Sequence, residues 1–469
     1  NKPVDLLIGE GLSATDFNDD SLGRTLDDLY ESGITEVFGQ VAAHALSRNG
    51  IEVSFAHLDT SSFHLHGEYE EQEPQAVEIV RGYSKDHRPD LKQVVLSLIT
   101  VQRSALPVWL EVLSGNSSDK KSFPASVSAY CDQFAEGESP YFVMDSAGYS
   151  QENLTELEGR HWLMRVPETL GEAKRHIEET DQAEMNEIQP GYLGKEVRSE
   201  SGGVSQRWLV VFSLPAYERE VYSLEKRQKK EQIKAEQAWR KISRTDFNCG
   251  EDALTMLVEF NQKWRYHKAD AKVTEVMRYP GPGRPGKHEQ PEVAGYQLTG
   301  EIEVDEQRME QARHKLGRFI IATNQMDAQR LSVQQMLAHY TGQGISVERG
   351  FRFLKDPLFF ADSLFLKKPG RIMALMMVMG LSLLIYSLAE RHLRQQLQES
   401  GETVPDQKGK PTQTPTMRWV FQLFEGIDLL CIWQGEQLLS RQVTNLREEH
   451  LTIIHLLGPL VEYCYLLPP

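Results

Sequence analysis

The stretch from residue 51 to residue 167 constrains the chain most, because strand-length apolar segments and helical segments follow one another there in an ordered way. "IEVSFAHLDT" reads as a strand, "SSFHLHGEY" as its hairpin continuation, "KQVVLSLITV" as another strand and "PVWLEVLSG" as a third. A helix is expected over residues 119–136, then a buried strand "YFVMDSAG", a short helix from Gln151 and a further strand "HWLMRVP". Three consecutive strands, a helix and then strand-helix-strand describe a mixed α/β sheet with an antiparallel side.

At 469 residues the chain exceeds what one core usually holds, so several domains are expected. Residues 1–50 read as a helical N-terminal segment that stops at Gly50, and 51–168 as the first part of the core. Past Pro167 the pattern breaks into a helix at 170–184, an isolated strand "QRWLVVFSL", a long basic helix near 223–244, a Pro/Gly loop and "YQLTGEIEVD", so 169–312 reads as an insertion. The core returns over 313–398 with the strand "GRFIIATN", then "SVQQMLAHY", the helix that carries Glu348 and the apolar helix of 372–397. Residues 399–416 form a polar linker with three prolines, and 417–469 a tail with strands such as "WVFQLF" and "LLCIW".

The four cysteines lie far apart without a C-x-x-C pair, which argues against zinc and against a disulfide framework. The chain begins at Asn1 without a signal segment and reads as cytoplasmic, or as a piece of a longer chain. "IMALMMVMGLSLLIYSL", residues 372–388, has the minimum length for a membrane span, but a helix buried in a large core explains it within a chain this polar; no membrane partner is expected. The net charge of -17 does not exclude nucleic acid, because binding follows local patches. From Glu225 to Arg244 eight Lys or Arg stand against three Glu, and acidic residues gather elsewhere, as in "GEYEEQEPQAVE".

Two strands carry an Asp where the apolar run stops: Asp59 after "VSFAHL" and Asp145 after "YFVM". Ligand sites of α/β sheets favour strand ends, although either Asp could start a turn or cap a helix. In "ISVERGFRFLKDP", Val347, Phe351, Leu354 and Leu358 form an apolar stripe, while Glu348, Arg352 and Lys355 line up beside it at i, i+4 and i+7. A solvated face with a Glu348–Arg352 pair explains that second stripe in bland terms. If the helix packs beside the two strands, Glu348 supplies a third acid. Three clustered carboxylates repel unless cations neutralise them, and hard oxygen ligands suit Mg²⁺ or Mn²⁺. Two ions about 4 Å apart serve phosphodiester displacement, and Arg349, Arg352 and Lys355 could then grip DNA phosphates.

The elements "LDTS", "YSKDHRPDLKQVVLSL", "MDSAGY" and "VERGFRFLKDPLFF" resemble those of the DDE transposases of bacterial insertion sequences. In that branch an RNase H-like core is interrupted by a largely β insertion between the second Asp and the Glu, and here Asp145 and Glu348 are 203 residues apart. The resemblance implies an RNase H-like mixed sheet flanked by helices, with a β-rich and helical insertion. It implies Asp59, Asp145 and Glu348 as metal-binding catalytic triad, two Mg²⁺ or Mn²⁺ ions, Lys355 as a phosphate-contacting lysine, and a homodimer on double-stranded DNA in a bacterial or archaeal cytoplasm. The family pattern expects a tyrosine seven and an arginine four residues before the glutamate, where this chain has Thr341 and Gly344. Tyr340 lies one position too early for the tyrosine role, and the arginine role has no evident holder. About fifty residues precede the first strand, so terminal-repeat recognition is expected to be partly lost.

The implied function is cleavage of insertion-sequence ends and joining of the 3'-hydroxyl to target DNA. A catalytically silent DNA-binding derivative and a metal-dependent nuclease that does not join strands stand as alternatives. His64 and His66 share a strand face without a third soft ligand nearby. Lys85, Asp86, His87 and Arg88 either touch DNA or organise the loop before a strand. Trp239 reads as the buried face of an amphipathic helix rather than a stacking platform.

Overall fold

A computed structural model describes residues 3–69, 76–85, 87–101, 105–134, 139–281, 288–357 and 366–467, without the side chains of 343–346. Asp86, Leu358 and residues 70–75 of the acidic "GEYEEQEPQAVE" run lie outside the described residues. The chain forms two compact units, Asn1–Arg165 with Ser199–Arg207 and Ala322–Pro469, and Val166–Arg198 with Trp208–Ile321.

The first unit opens with helices α1 (Val4–Leu7), α2 (Asp19–Glu31) and α3 (Ile34–Arg48). Strands β1 (Phe55–Leu65), β2 (Lys92–Val101) and β3 (Leu106–Ser114) follow as an antiparallel set. Residues 51–69 do not make two strands joined by a hairpin turn: Thr60, Ser61 and Ser62 pair with Ser97, Leu96 and Val95, so the polar run is the middle of one long strand. Helix α4 (Asp119–Gln133) leads to β4 (Tyr141–Met144), then α5 (Gln151–Glu156) and β5 (Trp162–Arg165). β4 is parallel to β1 and β5 is parallel to β4, giving the order β3-β2-β1-β4-β5. Three antiparallel strands with two parallel ones added beside the first, flanked by helices, are an RNase H-like α/β sheet. Leu58, Leu96, Leu98, Leu110, Phe142 and Trp162 are fully buried in its core.

The second unit contains α6 (Gly171–Glu179), β6 (Asn186–Gln189), most of β7 (Tyr192–Ser199) and most of β8 (Gln206–Ser213). Helix α7 (Leu214–Ile242) starts earlier than its basic run, because Ser213 caps it and Pro215 suits its first turn. Then come α8 (Gly250–Lys263), the long hairpin of β9 (His267–Arg278) and β10 (Glu292–Val304), α9 (Glu306–His314) and β11 (Arg318–Thr323), which leads back into the first unit. Trp239, Phe260, Ala269 and Leu298 form one core here, and Trp239 Nε1 donates to the Gly300 carbonyl at 3.1 Å. Trp239 is thus a buried core residue of α7. β6 and β7 escaped the sequence reading because they are short and mostly polar.

In the first unit α10 (Val333–Leu354) is one continuous helix, opened by a reciprocal Ser332–Gln335 capping box. Helix α11 (Pro369–Ser400) is long and apolar enough to cross a membrane by length and composition, and half of its most apolar window is buried in the protein. It packs so closely on the sheet that a Cβ at Gly380 would lie 2.3 Å from Leu110. Arg371 on the same helix clamps Asp27 of α2 with two hydrogen bonds of 2.7 and 2.6 Å. β12 (Val404–Pro405) and β13 (Pro411–Thr412) make a small hairpin in the linker. "WVFQLF" is not a strand but α12 (Met417–Leu423): Thr416 caps it, and Met417 and Val420 bury one face at helical spacing. β14 (Asp428–Gln434), β15 (Gln437–Thr444), α13 (Glu448–Leu457) and α14 (Pro459–Leu466) complete the chain.

Candidate active site

The parallel registers align the charged residues. His57 pairs with Val143, so two residues further on Asp59 comes level with Asp145. Met144 pairs with Met164, so one residue further on Asp145 comes level with Arg165. Residues in register on neighbouring parallel strands point to the same face, about 5 Å apart. Asp59, Asp145 and Arg165 therefore form one row across the carboxyl end of the parallel strands. Asp59 is mid-strand in β1, but it lies just past the end of the β1–β4 ladder.

Each aspartate uses one oxygen locally. Asp59 Oδ1 accepts from Thr60 N at 2.7 Å, and Asp145 Oδ1 accepts from Ala147 N at 2.8 Å, capping a short 3-10 turn. Asp119, the first residue of α4, joins them: its carboxylate accepts a hydrogen bond from the Thr60 hydroxyl. Lys85 reaches into the group, with Nζ 3.6 Å from Asp59 Oδ1 and 3.1 Å from Asp119 Oδ2. Nζ also donates to the Thr60 carbonyl at 2.8 Å.

The electrostatics follow from burial first. Burial pushes Asp59 up to about 6; Lys85 and the Thr60 N–H oppose the shift, and Asp145 and Asp119 add to it. Asp145 is raised by burial too, against its Ala147 hydrogen bond, with Asp119 adding repulsion. For Lys85 burial works against the charge, but Asp59, Asp119 and Asp145 outweigh it and hold the ammonium charged above its ordinary range.

In "YSKDHRPD", Ser84 and Arg88 organise the loop that delivers Lys85. Ser84 Oγ accepts from Arg88 N at 2.9 Å and bonds His64 Nε2 of β1 at 2.9 Å, which fixes the turn to the strand. Arg88 closes the turn onto Asp90 through two bonds of 2.9 and 2.8 Å. Gly82 is required where it stands, because a Cβ there would lie 2.0 Å from the Gly115 carbonyl oxygen. Arg88 and His64 thus organise the loop, while Lys85 belongs to the acidic cluster.

Helix α10 lies along the face of β1 that carries Asp59. His339 stacks on Phe55 with ring centroids 3.3 Å apart, and Lys355 Nζ sits 5.4 Å from the Phe63 ring. Eight strand residues rise about 26 Å and sixteen helix residues about 24 Å, so the two elements keep pace. The midpoints of the two spans, Asp59 and Val347, come level, and Glu348 is one residue beyond. Glu348 itself is exposed while Val347 is buried. Among the described residues no group of three His, Cys, Asp or Glu stands close enough to hold a metal ion, so Glu348 does not close a triad with the two aspartates as the side chains stand.

Tyr340 is half-buried beside Asp145 and accepts a hydrogen bond from Arg165; burial raises its hydroxyl, Arg165 opposes that, and Asp145 adds to it. Arg349 is held by Glu390 at 2.8 Å, in a buried network in which Arg394 also meets Glu390 at 2.8 Å. Arg352 is exposed on a groove lined by Arg349, Phe353, Asp356, Tyr386 and Arg418. Sequence reasoning missed Asp119 and Arg165. Asp119 reads as an ordinary helix-start acid. Arg165 had a signal: "WLMR" ends an apolar strand on a charge in the same way as "FVMD".

Asp59, Asp145, Asp119, Lys85 and Arg165 therefore meet at the carboxyl edge of the sheet, and the class they define is an RNase H-like protein with a carboxylate cluster at the carboxyl end of its central strands. The chain belongs to the transposase DDE domain family, whose model matches residues 53–385. Residues 1–43 match a domain of unknown function, DUF4277. No curated protein matches the chain. One similar solved structure is that of a piggyBac transposase synaptic complex with hairpin DNA, with 8% identity and a TM-score of 0.35. That match covers 78% of this chain and 51% of the other, so the chain spans about half the length of the protein it resembles there.

Proposed function

We propose that this transposase cuts the ends of an insertion sequence and joins the freed 3'-hydroxyl to target DNA at the Asp59–Asp145 row, as a homodimer on DNA in a bacterial or archaeal cytoplasm. The observation that carries this reading is the register that makes Asp59 and Asp145 in-line neighbours at the carboxyl edge of the sheet. The donor set fits a hard divalent ion such as Mg²⁺ or Mn²⁺. The donors are carboxylate oxygens that repel one another, and the Lys85 ammonium, paired with Asp59 and with the neighbouring Asp119, already offsets part of that repulsion. Asp59, Asp145 and Glu348 would hold two ions, with Glu348 turning inward from the level of Asp59 on α10. When bound, such ions activate the attacking oxygen and stabilise the leaving one in an in-line displacement.

The chain's own residues do the rest. Asp59 and Asp145 are fixed by the sheet, so their spare oxygens stay aimed without a reorganisation cost at the moment of reaction. Arg352 on α10 and Lys355 just past its end lie where they could grip phosphates flanking the scissile bond, and Tyr340 and Arg165 border the row beside Asp145. Cutting breaks the phosphorus bond to the 3'-oxygen as a water oxygen attacks; joining repeats the displacement with the 3'-hydroxyl as attacker. The test is a joining assay with element-end duplexes and a target plasmid in Mg²⁺. Wild type should yield joined products and Asp145→Asn none. Cutting without joining would leave a nuclease, and no Mg²⁺-dependent product at all would sink the reading.

A further inference from the structure

We propose that Lys85 is a displaceable placeholder: its ammonium takes the position of a divalent ion among Asp59, Asp119 and Thr60 and gives way when the ion enters. This rests on the metal-dependent reading above. Three features point to it. Among the described residues the ammonium's contacts are to oxygen atoms: the Asp59 carboxylate, the Asp119 carboxylate, the Thr60 carbonyl at 2.8 Å and the Thr60 hydroxyl at 3.1 Å. That is the ligand chemistry of a hard cation, supplied by side chains from β1 and α4 and a strand carbonyl.

The second feature is the tether. Lys85 comes from a loop rather than from the sheet, and the loop is pinned to β1 by Ser84 through His64, with Arg88 N donating back to the same Ser84 Oγ across the turn. A four-carbon stem on a pinned backbone lets the ammonium leave by rotamer changes alone, keeping it within a few ångströms for a phosphate to accept. The third is charge. Without a cation the aspartates would face one another in a half-buried site, and Lys85 relieves that repulsion in the ion-free chain. A like-charged ion and the ammonium cannot share the position, so the lysine must weaken ion binding while it is seated.

The experiment is Mn²⁺ titration of the full chain without DNA, followed by electron paramagnetic resonance of free Mn²⁺ and by thermal unfolding. Lys85→Met should bind Mn²⁺ more tightly than wild type by at least about tenfold, because the competing unit charge is gone. Its unfolding temperature should start lower and rise further on Mn²⁺ addition. Lys85→Arg, which keeps the charge, should bind no more tightly than wild type and serves as the folded control. Equal or weaker Mn²⁺ binding by Lys85→Met, with wild-type circular dichroism, would overturn the placeholder role and make Lys85 a fixed strut. Failure of the metal reading itself looks different: Asp59→Asn and Asp145→Asn would then leave Mn²⁺ binding unchanged in the wild-type and Lys85→Met backgrounds alike.

Discussion

Acidifying the protein should set a buried histidine and a half-buried aspartate two residues apart against each other. His57 is 4% exposed, and burial, with the neighbouring His339, holds it down to about 4 from an ordinary 6.5. The folded chain therefore binds fewer protons there than the unfolded chain between about pH 6.5 and 4, and stability is lost as pH falls through that window. Asp59 has the opposite sign. Its folded value of about 6 lies above the ordinary 3.8, so the folded chain binds more protons and stability is gained as pH falls from about 6 to 4. Each shift of roughly two units corresponds to about 3 kcal/mol at 1.36 kcal/mol per unit. In wild type these two contributions nearly cancel. In His57→Gln the gain stands alone, and between pH 6.5 and 4 this variant should become about 3 kcal/mol more stable relative to wild type. In Asp59→Asn the loss stands alone, with a relative fall of about 3 kcal/mol. Hydrogen exchange of the β1 amides, corrected for intrinsic rate, reads both. If the pH profiles of the two variants run parallel to wild type, neither group is perturbed in the way the packing of α10 on β1 requires.

Three further outcomes follow. Arg165→Ala should reduce joining by at least about tenfold while leaving Mn²⁺ binding unchanged, since Arg165 borders the row and positions Tyr340 without donating an oxygen ligand; lost Mn²⁺ binding would contradict that. Glu390→Ala should destabilise the first unit by about 3 kcal/mol, because it leaves Arg349 and Arg394 without their shared carboxylate and the Met417 N–H without its acceptor; chemical denaturation monitored on α11 peptides tests this. Gly82→Ala should cost about 1–3 kcal/mol and raise exchange in residues 80–93, because the new Cβ would strike the Gly115 carbonyl rather than a flexible side-chain end.

Much of this arrangement was legible in the residues. The succession of strands and helices in 51–167 follows from strand-length apolar runs with a helical stretch between them, and Asp59 and Asp145 stood out because each ends an apolar run. What misled was polarity inside structure. "DTSS" reads as a turn, yet Thr60, Ser61 and Ser62 are paired across β1 and β2 and buried, with Thr60 serving Asp119 and Lys85. "WVFQLF" has strand propensity, yet its neighbours Thr416 and Met417 make it a capped helix. Asp119 and Arg165 could not be placed by spacing alone, because their proximity to Asp59 and Asp145 comes from register and from the turn into α4, which are tertiary facts. Lys85 was visible as part of an unusual motif, but its direction depends on the Ser84 bond to His64.

The most direct measurement of where the ions bind uses Fe²⁺ in place of Mg²⁺, with ascorbate and peroxide, to cleave the backbone wherever the metal sits. Cuts should fall near residues 59, 119 and 145, should vanish on adding excess Mg²⁺, and should extend to the neighbourhood of 348 when an element-end duplex is bound. Cuts that miss β1 and β4 altogether, or that excess Mg²⁺ leaves untouched, would contradict the claim that the Asp59–Asp145 row is the metal-binding heart of this transposase.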